Sequence, residues 1–170
     1  MKIIKRIFLK NILKSIKLLV LDVDGVLTNG MLIYGEKGEV FKAFNVKDGL
    51  GIKLLQKEGI EVAFLSGGKG GAIDKRAEDL NVKYCLSGIK DKKKSLLKLL
   101  MDFSIKENQV AFVGDDLNDL NLKGSVGCLI ATADAARDLK KNSDIVLSNK
   151  GGEGAIRELA EKILNAKGKL

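Results

Sequence analysis

The strongest constraint on the fold of this chain is an alternation between short apolar runs and segments with helical spacing. Apolar runs of strand length lie at residues 17–23, 60–65, 82–86, 109–113, 127–131 and 144–147. Segments in which apolar residues recur every three or four positions lie at 49–57, 72–80, 92–103, 116–123, 135–140 and 154–166. Strands that are apolar at nearly every position are typical of parallel sheets covered on both faces. The pattern therefore predicts an α/β fold, a Rossmann-like parallel sheet with helices on both faces.

One segment interrupts this alternation between the first strand and the helix that follows it. Apolar residues at 31–34 and 39–45 flank a turn that contains Gly35 and Gly38. Such a pattern predicts a β-hairpin insert at about 29–45. Its apolar side chains need a packing partner, because an isolated two-stranded ribbon is only marginally stable in water.

The charge of the chain is concentrated at its N-terminus. The net charge is +8, from 30 basic and 22 acidic residues, and six of the basic residues precede residue 18 without any acid. We interpret residues 1–16 as a basic N-terminal arm, and residues 17–170 as the folded domain. Lysines interrupt every apolar stretch of the arm, so it does not resemble a secretory signal. A non-catalytic binding module that acts through this amphipathic arm is the alternative from another functional class, but we expect neither nucleic-acid binding nor membrane contact.

Missing residue types exclude several kinds of chemistry. The chain has no histidine, which excludes Ser-His-Asp triads, Cys-His pairs and zinc sites with histidine ligands. The two cysteines, Cys85 and Cys128, both lie in apolar runs, and we expect them to be buried free thiols in a cytoplasmic protein. Any catalysis must then use carboxylates, hydroxyls, lysines or a hard metal ion.

The clearest candidate for catalysis is a pair of aspartates at the end of the first strand. Asp22 and Asp24 follow the apolar run directly, and Gly25 comes next. Side chains at positions i and i+2 of an extended chain point to the same face. Two neighbouring carboxylates are costly unless a cation lies between them or one is protonated. Both conditions suit a phosphoryl-transfer site that uses Mg²⁺, with one aspartate as nucleophile and the other as general acid and base.

Polar side chains also follow other predicted strands. Ser66 and Gly67 come after the second apolar run, and an acidic cluster at residues 115–119 comes after the fourth. Ligands of open α/β sheets bind beyond the carboxyl ends of the strands, and oxygen-rich sites favour Mg²⁺ over softer metals. Lys92 opens a predicted helix and is a candidate for holding a phosphate group.

These motifs resemble those of the haloacid dehalogenase superfamily. The first motif corresponds to residues 22–25, the second to Ser66 and Gly67, the third to Lys92 and the fourth to residues 114–116. More narrowly, residues 22–30, 42–52, 76–78, 88–92 and the tail 151–170 resemble the 3-deoxy-D-manno-octulosonate 8-phosphate (KDO 8-phosphate) phosphatases. In this family a minimal β-hairpin forms the whole cap of the active site.

The resemblance implies a role for each matching residue. Asp22 would be the nucleophile and Asp24 the general acid and base, while Ser66 and Lys92 would hold the phosphate. Mg²⁺ would be bound by Asp22, the main-chain carbonyl of Asp24 and Asp115, with support from Asp116 and Asp119. The sugar-acid pocket would be lined by Asn45, Val46, Lys47, Asp48, Gly49, Lys53 and Arg76. Asp24, Gly67 and Lys92 would also contact the substrate. The family also implies a homotetramer in which a neighbouring subunit closes each site.

One position departs from the family pattern. Relatives usually have an arginine after the second motif, whereas this chain has Gly68. Lysine is a poor substitute for an arginine that grips a carboxylate through two hydrogen bonds. The substrate therefore remains open between KDO 8-phosphate and the 9-phosphates of KDN or N-acylneuraminates. The glycine-rich segment 151–154 either begins the last helix or approaches the substrate.

Overall fold

A computed structural model describes residues 2–38 and 40–170. In chain order the strands are β1 (Leu18–Leu21), β2 (Ile33–Tyr34), β3 (Val40–Phe41), β4 (Glu61–Leu65), β5 (Tyr84–Leu86), β6 (Val110–Gly114), β7 (Cys128–Ala131) and β8 (Ile145–Val146). The helices are α1 (Lys2–Ser15), α2 (Val46–Lys57), α3 (Gly71–Asp79), α4 (Lys92–Phe103), α5 (Arg137–Asn142) and α6 (Ala155–Lys167). Two 3₁₀-helices span Glu107–Gln109 and Leu117–Leu122.

Six of the strands form one sheet in the order β5-β4-β1-β6-β7-β8, and every neighbouring pair is parallel. The central strand β1 pairs with β4 on one side and β6 on the other. All four of its residues are buried. Leu19 and Leu21 pack into the apolar cluster on one face of the sheet, and Leu18 and Val20 into the cluster on the other. The predicted α/β fold is thereby confirmed.

The helices agree with the predicted segments to within a few residues, with one difference in type. Residues 116–123 have helical spacing, but the structure has a 3₁₀-helix there. The carboxylate of Asp119 turns back to accept hydrogen bonds from the amides of Asp115 and Asp116 at the start of this element. This short element holds the acidic cluster close to the end of β6.

The predicted hairpin insert is present, but its paired strands are short. Among the described residues of the hairpin, Ile33 pairs with Phe41 and Tyr34 with Val40; Glu39, inside the predicted hairpin, lies outside the described residues. The apolar side chains of Met31, Ile33, Tyr34 and Phe41 are more than half exposed. The hairpin therefore presents an apolar surface that is not covered by the described part of its own chain.

The N-terminal helix α1 packs against the domain through its C-terminal end. Leu13 and Ile16 are buried in the larger apolar cluster, whereas Ile4 and Phe8 are mostly exposed. Met1 and the side chains of Lys2, Lys5 and Arg6, which belong to the predicted basic arm, lie outside what the structure describes. Among the described residues, none of the helices is long and apolar enough to span a bilayer.

Candidate active site

Three neighbouring strands bring the predicted catalytic residues to one edge of the sheet. Asp22 follows β1, Ser66 follows β4 and Asp115 follows β6. These strands are adjacent in the order β4-β1-β6, and their carboxyl ends meet at the same edge. Three sequence motifs separated by more than 40 residues are therefore brought together by the sheet topology.

A buried charge cluster lies at the centre of this edge. Asp22 and Lys92 form an ion pair, and the Lys92 Nζ is also 2.6 Å from the Oδ1 of Asp119. The second oxygen of Asp22 accepts a hydrogen bond of 2.7 Å from the amide of Val23. Lys92 is the first residue of α4, whose start is capped by Asp91 through the amide of Lys94. The cap fixes the helix end from which the lysine side chain reaches the cluster.

The electrostatics of the cluster favour a further positive charge beside it. Burial raises the pKa of Asp22 to about 6, although Lys92 opposes the shift. Burial also raises the pKa of Asp115 to about 7, and repulsion from Asp22 and Asp119 adds to the effect. Burial lowers the pKa of Lys92, but the carboxylates of Asp22 and Asp119 outweigh it and raise this pKa above its usual value. One lysine does not neutralise three carboxylates, so a further cation would stabilise their ionised forms.

The same residues fit a divalent metal ion. Carboxylate oxygens of Asp22, Asp115 and Asp119 all lie within 4.8 Å of one another. An all-oxygen donor set selects Mg²⁺ or a similar hard cation. Both oxygens of Asp119 already accept hydrogen bonds, from Lys92 and from the amides of Asp115 and Asp116. Asp119 is therefore placed to orient its neighbours. Each oxygen of Asp22 also accepts one hydrogen bond, from the amide of Val23 or from Lys92, and keeps a second lone pair for a metal ion.

A cavity of about 310 Å³ opens beside this cluster. Its walls are formed by Asp22, Asp24, Gly30, Ser66, Gly67, Gly68, Asp115, Asp116 and Asn118. The Ser66 Oγ accepts a hydrogen bond of 3.1 Å from the amide of Gly68. A second cavity of about 430 Å³ shares Gly67 and Asn118 with the first and is bordered by the start of α4. Sequence reasoning missed Gly30 and Asn118, although Asn118 stands within the acidic cluster that drew attention to this region.

Asp24 and Asp116 have different surroundings from Asp22. Asp24 lies in the cavity wall and forms an ion pair with Lys42, the residue directly after β3. Sequence reasoning also missed Lys42, although it stands in a stretch that carries the family resemblance. Asp116 is exposed, and its Oδ1 accepts a hydrogen bond of 2.7 Å from the amide of Leu117. Its carboxylate thus caps the 3₁₀-helix and lies in the wall of the cavity.

Of the residues predicted to bind the substrate, Asp24 and Gly67 line this cavity and Lys92 borders the second one, whereas residues 45–49, Lys53 and Arg76 line neither in the single chain. Asn45 caps α2 by accepting a hydrogen bond from the amide of Lys47, and its Nδ2 donates to the carbonyl of Gly152. Val46, Lys47 and Lys53 are exposed. These orientations are not predictable from the sequence, because it shows residue types but not the direction of each side chain.

Asp48 and Arg76 are held by contacts within the fold. The buried carboxylate of Asp48 accepts hydrogen bonds from the amides of Gly154 and Arg157 at the start of α6, so in this structure it cannot reach a ligand in the cavity. Arg76 donates from Nη2 to the carbonyl of Asn45 and stacks over Phe44. A Cβ at Gly49 would lie 2.7 Å from that Nη2. Arg76 thus holds the segment that enters α2, Gly49 leaves room for its guanidinium, and Asp48 connects α2 to the start of α6.

The segment 151–154 packs on the loop that follows the two aspartates. The amide of Gly152 donates to the carbonyl of Val26, and a Cβ at Gly151 would lie 1.9 Å from the carbonyl oxygen of Gly25. The segment also leads into α6, whose first residue is Ala155. Of the two interpretations of this segment, the start of the last helix describes its place in the fold, with the addition that it braces the loop carrying Asp24.

Fold and site define a hydrolase of the haloacid dehalogenase type. The family model of haloacid dehalogenase-like hydrolases matches residues 86–159. The 3-deoxy-D-manno-octulosonate 8-phosphate phosphatase of Haemophilus influenzae is 42% identical over 157 residues, which cover 92% of this chain and 87% of that protein. The corresponding enzyme of Escherichia coli K12 is 41% identical, over 92% of this chain and 84% of that protein.

Solved structures agree with this result. A crystal structure of 3-deoxy-D-manno-octulosonate 8-phosphate phosphatase from Yersinia pestis has a TM-score of 0.93 at 38% identity, covering 95% of this chain and 87% of that one. The enzyme from Moraxella catarrhalis, in complex with magnesium ion, phosphate ion and KDO, has a TM-score of 0.92 at 35% identity, covering 95% and 92%. The chain belongs to the 3-deoxy-D-manno-octulosonate 8-phosphate phosphatase family of the haloacid dehalogenase-like hydrolases.

Proposed function

We propose that this protein is a Mg²⁺-dependent phosphatase that hydrolyses KDO 8-phosphate to KDO and phosphate through an aspartyl-phosphate on Asp22. The observation that carries the proposal is the convergence of Asp22, Asp115, Asp119 and Lys92 beside the cavity that contains Asp24 and Ser66. Each of these residues has a chemical task in phosphoryl transfer. The substrate is inferred from the relatives, which act on KDO 8-phosphate by name.

In the first half of the reaction Asp22 attacks the phosphorus atom. A bond forms between its carboxylate oxygen and phosphorus as the bond between phosphorus and the sugar oxygen breaks. Asp24 gives its proton to the departing sugar oxygen, so that KDO leaves as a neutral alcohol. Lys92 and Ser66 hold the oxygens of the phosphoryl group, and the ion pair of Lys92 with Asp22 aligns nucleophile and phosphate.

In the second half water releases the phosphate. Asp24, now a carboxylate, removes a proton from the attacking water, and the bond between Asp22 and phosphorus breaks. Asp22, the main-chain carbonyl of Asp24 and Asp115 would hold Mg²⁺, which would supply charge neutralisation for the phosphoryl oxygens and the carboxylates. Asp119 fixes the main chain at Asp115 and Asp116 through its hydrogen bonds. Each turn of this cycle regenerates Asp22 and the proton on Asp24.

The deciding experiment measures phosphate release with Mg²⁺ from KDO 8-phosphate, KDN 9-phosphate and N-acetylneuraminate 9-phosphate. Asp22→Asn is the matched blank, because it keeps the size of the side chain and removes the nucleophile. Preference for KDO 8-phosphate would support the proposal. Preference for a 9-phosphate would keep the catalytic roles and change the substrate. Gly68, which replaces the arginine that relatives usually have, is the reason for including these substrates. Release from none of them would overturn the proposed function.

We further propose a homotetramer in which the hairpin of one subunit closes the active site of another. The support is the exposed apolar surface of the hairpin, formed by Met31, Ile33, Tyr34 and Phe41, together with the exposed Val46 at the start of α2. In such an assembly the exposed residues at 46–53 are available to a site of a neighbouring subunit. Light scattering tests the assembly: a monomer with full activity would contradict it.

We also propose a cytoplasmic location and a role in lipopolysaccharide biosynthesis. The free thiols of Cys85 and Cys128 support a reducing compartment. The role in lipopolysaccharide synthesis depends on KDO being the product. It is tested by deleting the gene in the source organism and measuring accumulation of KDO 8-phosphate.

A further inference from the structure

A lysine supplied by the cap hairpin contacts the aspartate that transfers the proton. Lys42 directly follows β3, and its Nζ forms an ion pair with the Oδ1 of Asp24. The side chain of Lys42 is only 3% exposed, whereas that of Asp24 is 30% exposed. A lysine buried to this extent needs a partner, and Asp24 provides it at the edge of the active-site cavity.

The ion pair leaves one oxygen of Asp24 for chemistry. Oδ1 is bound by Lys42, while Oδ2 lies beside the second-motif loop, at 2.5 Å from the point where a Cβ of Gly68 would stand. Asp24 and Gly68 both line the cavity that contains Ser66 and Asp22. With Oδ1 bound by Lys42, Oδ2 is the oxygen left for proton transfer.

The segment that carries Lys42 is firmly attached to the domain. Phe44 packs against the larger apolar cluster and lies under the guanidinium of Arg76. Arg76 also donates a hydrogen bond of 2.9 Å to the carbonyl of Asn45, and Asn45 binds the carbonyl of Gly152. Residues 44 and 45 thus anchor the chain two positions after Lys42. An anchored ammonium fixes a carboxylate better than one on a mobile loop, because less conformational entropy is lost on pairing.

We propose that Lys42 is the positioning residue for Asp24: it binds one carboxylate oxygen and directs the other at the leaving sugar oxygen and the attacking water. The proposal deepens the proposed function, since it assumes that Asp24 transfers the proton. It also gives the hairpin a part in catalysis, because the residue that orients Asp24 belongs to the hairpin.

The test compares Lys42→Met with Lys42→Arg. Methionine keeps an unbranched apolar side chain of similar length and removes the charge, whereas arginine keeps a donor for Oδ1. The control is Lys57→Met, an exposed lysine at the end of α2. We expect Lys42→Met to lower kcat on KDO 8-phosphate about 100-fold, within the range for general acid–base catalysis, with KM changed less than about threefold. Lys42→Arg should recover most of the activity, and Lys57→Met should match the wild type.

A second substrate separates positioning from loss of structure. The leaving group of p-nitrophenyl phosphate needs no proton, so Lys42→Met should release the first equivalent of nitrophenolate at a rate within about threefold of the wild type. Later turnovers should slow at least tenfold, because water still needs Asp24 as a base. The expected signature is a burst of about one nitrophenolate per active site.

Two results would overturn this role for Lys42. A higher KM with unchanged kcat on KDO 8-phosphate would make Lys42 a substrate-binding residue. A parallel fall of the first turnover and the later turnovers of p-nitrophenyl phosphate would make it a structural residue. A wild-type protein that hydrolyses p-nitrophenyl phosphate but not KDO 8-phosphate would instead overturn the proposed substrate, and the nitrophenolate burst would still decide the role of Lys42.

Discussion

Gly151 lies directly against the main chain of Gly25, the residue that follows the two aspartates of the first motif. A Cβ at position 151 would come within 1.9 Å of the Gly25 carbonyl oxygen. The amide of the next residue, Gly152, donates a hydrogen bond of 3.0 Å to the carbonyl of Val26. The loop that carries Asp24 is therefore supported by the segment that precedes α6.

Replacing Gly151 by alanine tests this support. The added methyl group must displace the Gly25 loop, so we expect kcat to fall at least about tenfold, since a shift of about 1 Å at a catalytic group can cost 100-fold. The matched control is Gly127→Ala, whose Cβ would lie 2.5 Å from the carbonyl oxygen of Asn108, away from the site residues. Gly127→Ala should lower the melting temperature but keep kcat per folded molecule. Equal kcat in both variants would show that the loop does not depend on Gly151.

The carboxyl groups of Asp22 and Asp115 should make the stability of the protein depend on pH and on Mg²⁺. The pKa of Asp22 is raised from 3.8 to about 6 and that of Asp115 to about 7. Between about pH 4 and 7 the folded protein therefore holds protons that the unfolded chain has released, so the free energy of unfolding of the metal-free protein falls as the pH rises. Mg²⁺ needs ionised ligands, and its stabilising effect should grow over the same interval.

Thermal unfolding in EDTA and in Mg²⁺, at about pH 5 and about pH 7.5, measures both effects. We expect Tm in EDTA to be lower at the higher pH, and the increase in Tm on adding Mg²⁺ to be larger there. Asp115→Asn is the control, because it removes one carboxylate from the cluster and should weaken both trends. A Mg²⁺ effect that is independent of pH would mean that these carboxylates are not its ligands.

Much of this architecture is predictable from the sequence because its signals are local. A central parallel strand is apolar at every position, as Leu18–Leu21 is, and its burial on both faces is the physical reason. Polar residues after β1, β4 and β6 meet because parallel strands share a carboxyl edge. For the same reason Asp22, Ser66 and Asp115 were identified together, although more than 90 residues separate the first from the last.

Other parts of the site depend on side-chain directions that the sequence does not encode locally. Asp48 stands in the stretch that resembles a sugar-acid pocket, yet its carboxylate turns to the start of α6, where two amides need acceptors. Lys42 reaches Asp24 from the hairpin, in which two residue pairs are in register among the described positions. No periodicity marks such a contact, because it depends on where the hairpin packs against the domain.

Gly68 stands where relatives usually carry an arginine, and any side chain at this position would contact Asp24. A Cβ at this position would lie 2.5 Å from the Oδ2 of Asp24 and 3.3 Å from the Oγ of Ser66. Gly68→Ala should therefore push the Asp24 carboxylate away from its present place and lower kcat about tenfold, a fraction of what general acid–base catalysis contributes. Gly71→Ala is the control, since a Cβ there meets no atom within 4 Å. Steady-state kinetics on KDO 8-phosphate measures the effect, and an unchanged kcat in Gly68→Ala would contradict it.

We expect two truncations of the N-terminal segment to differ in their effect on stability. The helix α1 exposes Ile4, Ile7 and Phe8, but Leu13 and Ile16 are buried in the core. Removing residues 1–10 should leave both the melting temperature and kcat close to those of the full chain. Removing residues 1–16 deletes both buried side chains, and each large aliphatic group lost from a core costs about 2–5 kcal/mol. We expect urea denaturation to show a large loss of stability for the longer truncation alone; equal stability of the two would mean that α1 does not contribute to the core.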